Sequence, residues 1–308
     1  MESYNKYGPY LKAKFGGHKV YKVVVDAGFT CPNRDGSKGY GGCTYCNVDS
    51  FTPDLARNTA KITEQVTQGI ARARQKYGAT KFIIYFQPNS NTYAAVESLK
   101  LLYDEALSVD SPDIVGLSIG TRPDLLTEEK LDLLESYTKR YYVDLEIGME
   151  SIYDYTLRKI NRGCSHQDFI NAVQLFNDRN IDLCVHTIFG FPWETEEMML
   201  SYAAAINEHR AIKFVKLHHL HIVNGSIMGV LYKRHPFKLF TLPEYAAFLA
   251  KFIPLLRQDI IIQRVFGVAD TEYLIAPDWG VGKSSIQTYI DQLLSNQKVL
   301  QGSEYSAF

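Results

Sequence analysis

Cys31-Pro-Asn-Arg-Asp-Gly-Ser-Lys-Gly-Tyr-Gly-Gly-Cys43-Thr-Tyr-Cys46 holds three of the chain's five cysteines, eleven residues apart and then two apart. Four glycines and a proline lie between the first two sulfurs, so the segment curls as a loop rather than a helix or strand. Three thiolates on such a loop can converge on one metal centre. They fall one short of a closed structural zinc site or a fully protein-ligated iron–sulfur cluster. One coordination position is therefore left for chemistry.

Two plainer uses of the sulfurs are weaker. Zinc needs a fourth ligand, and the nearest histidine after Cys46 is His166. A disulfide fits poorly with an odd cysteine count and with the start Met1-Glu-Ser-Tyr-Asn-Lys-Tyr, which lacks an apolar export signal. Cys164 and Cys184 read as structural, Cys184 within the apolar run Ile181 to Val185.

At 308 residues and 46% hydrophobic content the chain can bury one large α/β core. No uninterrupted apolar stretch approaches the length of a membrane span, and a cytoplasmic location is expected. A net charge of −1 argues against a strongly basic nucleic-acid binder but leaves room for a local basic face. The 21 tyrosines would permit stacking on bases.

Outward from the loop, strands and helices alternate. Val20 to Asp26 is a β-branched strand running straight into the cysteines, and Lys81 to Gln87 is the second. Asp113 to Ile119, Tyr142 to Ile147, Leu183 to Phe189 and Lys213 to His221 complete six. Helical spacing falls at 61–77, 94–108, 166–179 and 194–208, with Thr127 capping another helix. Six such alternations mean a parallel sheet with helices outside it; periodicity leaves an open doubly wound sheet and a full or partial barrel both possible. Residues 1–18 read as an N-terminal arm and 19–222 as the main body. Residues 223–308 read as a small α/β extension packed on it, with helices at 241–257 and 283–297 and a strand near 260–266. Gly280-Val-Gly-Lys-Ser-Ser285 is not a phosphate loop, since Pro277 stands where the first glycine is required.

In parallel α/β folds the chemistry sits at the carboxyl ends of the strands. Those ends are polar here. Strand one leads to the cysteines, strand two to Gln87, Asn89, Ser90 and Asn91, and strand three to Ser118, Thr121, Arg122 and Asp124. Strand four ends in Glu146 and Glu150, strand five carries His186, and strand six carries Lys216, His219 and His221. His218, His219 and His221 read as hydrogen-bonding or substrate-contacting groups rather than metal ligands, because no third ligand type is near in sequence.

The loop Cys31-x11-Cys43-x2-Cys46 resembles the cluster loop of radical S-adenosylmethionine (SAM) enzymes. Its wide first spacing is similar to that of the subgroup holding the Elongator catalytic subunit and the YhcC/YtqA-like bacterial proteins. Phe86 to Tyr93, Thr121 to Asp124, Leu145 to Ser151, Asn161 to Gly163 and His186 to Thr195 carry the resemblance along the chain. It implies a partial (β/α)6 TIM-type barrel. It also implies a [4Fe–4S] cluster on Cys31, Cys43 and Cys46, with SAM on the free iron. Cleavage of that SAM would yield a 5′-deoxyadenosyl radical that abstracts a hydrogen atom.

By the same resemblance Tyr45 lies beside the cluster, and Gln87 and Asn89 stand in the place of the motif that meets the methionine amino group. The usual Gly-Gly-Glu type sequence is absent there. Ser118, Glu150, Arg162 and His186 are further SAM-binding candidates, Arg162 suiting a carboxylate. Arg122 and Lys216 are candidates for substrate contact, on charge and placement. The expected substrate is a tRNA wobble uridine, matured from carboxymethylaminomethyl towards aminomethyl. Tyr232 to Lys238 interleaves basic and aromatic residues, as an RNA-contacting segment would. An electron donor such as flavodoxin or ferredoxin is the expected partner. A radical SAM enzyme for a small metabolite is the alternative, and a zinc-stabilised binding protein a remoter one.

Overall fold

The computed structural model describes residues 2–58 and 61–306. In chain order the elements are α1 (Tyr7–Lys14), β1 (Val20–Val25), α2 (Asp54–Asn58), α3 (Ile62–Tyr77), β2 (Lys81–Phe86), α4 (Val96–Leu107), β3 (Ile114–Thr121), α5 (Glu128–Tyr137), β4 (Tyr142–Glu150), α6 (Asp154–Lys159) and α7 (His166–Gln174). There follow β5 (Asp182–Phe189), α8 (Glu196–Leu200), α9 (Tyr202–Asn207), β6 (Ile212–His219), β7 (Ile222–Val223), α10 (Ile227–Arg234), α11 (Leu242–Phe252), β8 (Ile261–Arg264), β9 (Leu274–Ala276) and α12 (Lys283–Asn296).

The main sheet runs β1-β2-β3-β4-β5-β6-β8, every neighbouring pair parallel. Strands thus follow one another in space as in sequence, which is the order of a curled half-barrel with helices outside. All six expected strands are present. The segment after residue 222 adds a seventh, β8, because Ile261 and Ile262 extend the apolar edge left by Phe214 and Val215 of β6.

Local chemistry sets the ends of the helices. Gly78 closes α3 in the left-handed conformation, and Thr127 caps α5 by accepting from Lys130 N. The helix expected over 194–208 runs as α8 and α9, which meet at Ser201 without leaving the helical region (φ −66°, ψ −13°). The one expected over 241–257 stops at Phe252, since Pro254 tightens the next residues into a 3-10 turn. Strand six ends at His219; the short β7 beyond it pairs antiparallel with β9.

The outer faces of the strands feed an apolar core shared with the helices, including Phe82, Leu117, Leu145, Leu183, Leu217 and Phe252, all with no exposed surface. The inner face is different. Tyr7 and Tyr10 of α1 pack edge-on against Phe214 and close the floor of the half-barrel. Above them lies a buried polar layer. Lys22 Nζ donates to Asp144 (2.7 Å), Glu146 (2.7 Å) and Ser118 (2.8 Å), and Glu146 also receives Tyr85, His186 and Lys216. Two lysines against two carboxylates leave this interior electrically balanced. No described helix is long and apolar enough to cross a membrane.

Candidate active site

The cysteine loop emerges from β1 and folds over the carboxyl end of the sheet. Gly41 and Gly42 both have φ near +76°, which lets the chain reverse just before Cys43. The loop is pinned by Gly42 N to Asn33 O (2.8 Å), Cys46 N to Cys43 O (2.9 Å), Thr44 N to Ile160 O (2.8 Å) and Met228 N to Thr44 O (2.7 Å). Asn161, itself in the left-handed region, donates its side-chain amide to Gly42 O at 2.9 Å.

Cys31, Cys43 and Cys46 share the wall of a cavity of about 280 Å³ at the strand ends. Guanidinium groups face the sulfurs: Arg34 Nη2 lies 3.4 Å from Cys46 Sγ, and Arg162 Nη1 lies 3.7 Å from Cys43 Sγ. Burial, reinforced by Cys43, pushes the Cys46 thiol up to about 11, so the free thiol keeps its proton until a metal displaces it.

Tyr45, Gln87, Asn89, Arg122, Glu150, Arg162, His186 and Lys216 all line the same cavity. Ser118 does not; its hydroxyl accepts from Lys22 one layer nearer the barrel floor. Arg162 Nη2 donates to Gly148 O (3.0 Å) and lies 3.5 Å from Glu150. That pair crosses Gly148, where a Cβ would stand 2.2 Å from Glu150 Oε1 and 2.6 Å from Arg162 Nη2. Arg122 is occupied: Nε and Nη2 bind Asp124 (2.9 and 3.1 Å), and Nη1 donates to Arg162 O (2.7 Å). Lys216 binds Glu146 and lies 3.5 Å from Tyr85 Oη. Burial opposes ionisation of Glu146, but Lys216 and Lys22 outweigh it and hold the carboxyl well below its ordinary range.

Glu146, Cys184 and His186 bring one donor atom each within 4.8 Å. His186 Nε2 is 2.9 Å from Glu146, whose charge the lysines already balance, so this is a hydrogen-bonded group.

The wall also holds residues that strand-end reading did not single out. Arg34 sits inside the loop, Tyr85 points inward from an otherwise apolar strand, and Arg264 ends β8 beside Lys216. Arg264 is exposed, and its guanidinium has no hydrogen-bond or ion-pair partner among the described residues. The inward Tyr85 alternates with Ile84 and Phe86 in sequence; Arg264 became visible only when β8 joined the sheet.

Three thiols on a loop over the carboxyl ends of a parallel half-barrel define an iron–sulfur enzyme of the partial-barrel class. Residues 31–206 match the radical SAM superfamily and residues 212–296 the radical SAM C-terminal domain, and the chain belongs to that superfamily. It is 35% identical to protein YhcC of Escherichia coli (strain K12) over 300 residues, 97% of this chain and 94% of that protein. A stretch of 126 residues, 40% of this chain, is 30% identical to 23% of a tRNA uridine(34) acetyltransferase of Methanocaldococcus infernus. The fold superposes on the archaeal Methanocaldococcus infernus Elp3 lacking its N-terminus with a TM-score of 0.70 at 18% identity, covering 92% of this chain and 64% of that one. It is a radical SAM enzyme similar to YhcC, and its cofactors are a [4Fe–4S] cluster and SAM. The donor set suits them: three sulfurs, two of them faced by guanidinium N–H groups, suit an anionic cluster, and the buried Arg162 suits a carboxylate.

Proposed function

We propose that this radical SAM enzyme acts on a 5-substituted wobble uridine of tRNA, converting a carboxymethylaminomethyl group towards aminomethyl: hydrogen abstraction from the N–CH2–carboxylate carbon and loss of one electron to the flavodoxin- or ferredoxin-type partner would leave an imine, which water would hydrolyse at the C–N bond to the amine and glyoxylate. The observation that carries the reading is Arg264: an unpaired guanidinium on the wall of the cavity that holds the three cysteines. A carboxylate-bearing side chain is its natural counterpart. The stretch shared with a tRNA uridine(34) acetyltransferase supports uridine as the base that carries it.

The cluster and SAM, once bound and reduced by a flavodoxin- or ferredoxin-type donor, supply a 5′-deoxyadenosyl radical for hydrogen abstraction. The protein supplies position and dryness. Cys31, Cys43 and Cys46 hold the cluster, and Tyr45 lies over its loop. Arg162, oriented by Arg122 through its carbonyl, would hold the methionine carboxylate, and Gln87 and Asn89 would bind its amino group. Glu150 and His186 would bind the adenosine. Arg264 fixes the substrate carboxylate, and Lys216 faces it from the neighbouring strand with its ammonium held by Glu146. Ser118 supports that layer through Lys22.

Nucleoside mass spectrometry of bulk tRNA, comparing the parent strain with one lacking this gene, tests the reading. Accumulated carboxymethylaminomethyl-uridine and loss of its aminomethyl product are expected, and Arg264→Ala or Arg122→Ala should fail to restore the product. An unchanged nucleoside profile would overturn the tRNA assignment and favour a small carboxylate metabolite.

A further inference from the structure

Four exposed apolar side chains gather where the cysteine loop meets α10: Tyr40 is 79% exposed, Ile227 45%, and Val230 and Leu231 51% each. Ile227, Val230, Leu231 and the exposed Arg234 fall at i, i+3, i+4 and i+7, so they form one outward stripe. Met228 and Gly229, on the other side of the helix, are buried. Clustered apolar surface of this kind marks a place of contact, where single exposed residues do not.

The patch is fixed to the loop that carries the thiols. Met228 N donates to Thr44 O (2.7 Å), and Ile227 Cδ1 lies 3.5 Å from where a Cβ on Gly41 would stand. Tyr40 is three residues from Cys43, which keeps their Cα atoms within about 11 Å of each other. The end of α6 is bound to the same loop. Thr44 N donates to Ile160 O (2.8 Å), and Asn161 Nδ2 to Tyr40 O (3.3 Å) and Gly42 O (2.9 Å).

The rim is cationic. Arg158 and Lys159 end α6, and Lys233 and Arg234 end α10; all four are exposed, and none has an ion-pair partner among the described residues. Lys159 Nζ lies 4.7 Å from the ring centres of Tyr155 and Trp193, and Lys233 donates to Asn224 Oδ1 (3.1 Å). Asp35, which pairs with Tyr40 through its backbone, gives one carboxylate oxygen to Ser37.

Three of the four central side chains are aliphatic and offer no ring on which a base could stack. The rings of Tyr232 and Phe237 meet each other edge-on, centroids 5.0 Å apart, and pack on the small core that holds Met228 and Leu220. The face therefore suits a protein. Electron-transfer partners meet over small surfaces, below about 1,200 Å², and complementary charge steers them together.

We propose that Tyr40, Ile227, Val230 and Leu231, rimmed by Arg158 and Arg234, dock the one-electron donor, an acidic protein that carries a reduced flavin or iron–sulfur centre. One electron leaves the donor's centre, which is oxidised by one, and enters the cluster on Cys31, Cys43 and Cys46, which is reduced by one. No bond forms or breaks at this contact. The proposal rests on the protein donor named above and is independent of the tRNA substrate.

The test measures binding of a flavodoxin and of a ferredoxin to the cluster-loaded protein by calorimetry at low and high salt. Cluster reduction by each donor in its reduced form is followed by electron paramagnetic resonance, with dithionite as a reductant that needs no docking. The double variant Arg158→Glu/Arg234→Glu should bind the protein donor about tenfold more weakly and lose most of the salt dependence. That donor should reduce it correspondingly slowly, while dithionite reduces it at the parent's rate. Val230→Ser/Leu231→Ser removes the apolar centre by an independent change and should weaken binding while leaving the salt dependence in place. Reduction by the protein donor at the parent's rate in both double variants overturns the site and leaves the donor reading intact. A parent protein that dithionite reduces but neither protein donor binds or reduces overturns both. Equal slowing with dithionite would trace the effect to the cluster and overturn the docking role, and loss of tRNA binding in place of donor binding would assign the face to RNA.

Discussion

Arg162 joins the cysteine loop to strand β4: its Nη1 lies 3.7 Å from Cys43 Sγ, while its Nη2 lies 3.5 Å from Glu150 across the Cα of Gly148. The crossing works only because Gly148 has no side chain. Gly148→Ala would place a methyl group 2.2 Å from Glu150 Oε1 and force the pair off the strand. SAM affinity should fall about tenfold or more, as expected when a charge-assisted contact is lost. Iron content should stay near that of the parent protein, since the cysteines are untouched. Equilibrium dialysis with SAM beside an iron assay checks this; normal SAM affinity would remove Arg162 from the binding role.

Glu146 is the hub of the interior charge layer. Glu146→Gln keeps the shape but leaves Lys22 with Asp144 alone and Lys216 with no carboxylate partner. Removing one partner from a buried ion cluster costs roughly 3–5 kcal/mol. Urea unfolding of the variant should show that loss. A change below about 1 kcal/mol, the scale of an exposed pair, would mean water reaches the layer.

The histidines predict an acid weakness. Burial lowers His218 and His219 well below the ordinary imidazole value and brings His221 to about 4. Near pH 6.5 and below, the unfolded chain takes up protons that the folded chain refuses. Their contribution is therefore complete above about pH 6.5 and falls as the pH drops towards 4, His221 accepting its proton only at the end of that range. Unfolding measured at pH 6.5 and pH 5 should show this decline, and His219→Phe should flatten it. An equal slope in parent and variant would exclude His219 as a source.

Arg257 ties the carboxyl-terminal third of the chain to the barrel. It is 1% exposed, yet its guanidinium donates to the carbonyls of Ile206, Asn207, His209 and Ile212 and to Asp259. Arg257→Met strips four carbonyls of that donor and should cost about 3 kcal/mol or more. Limited proteolysis should then open the segment between α9 and β8 first. Unaltered protection there would show that apolar packing alone holds it.

Much of this was readable from residues. β1 to β6 are runs of β-branched and aromatic residues with polar groups where they end, and those ends do assemble one wall. Arg122 was visible by charge, and so was its partner Asp124 two residues on, but sequence does not say that the pair closes on itself. Arg264 was hidden for another reason. A strand near 260–266 was expected, but as part of the extension, and only the pairing of Ile261–Arg264 with β6 sets the guanidinium beside Lys216.

The way α1 closes the floor has a consequence for biogenesis. Lys6 bridges to Ile262, Ile262 N donates to Asn5 O at 2.8 Å, and Tyr7 and Tyr10 rest on Phe214. Phe214 and Ile262, which receive α1, lie far along the chain from it. The Tyr7–Lys14 segment cannot take its place until β6 and β8 exist, and its seating is a long-range step of the kind that slows assembly.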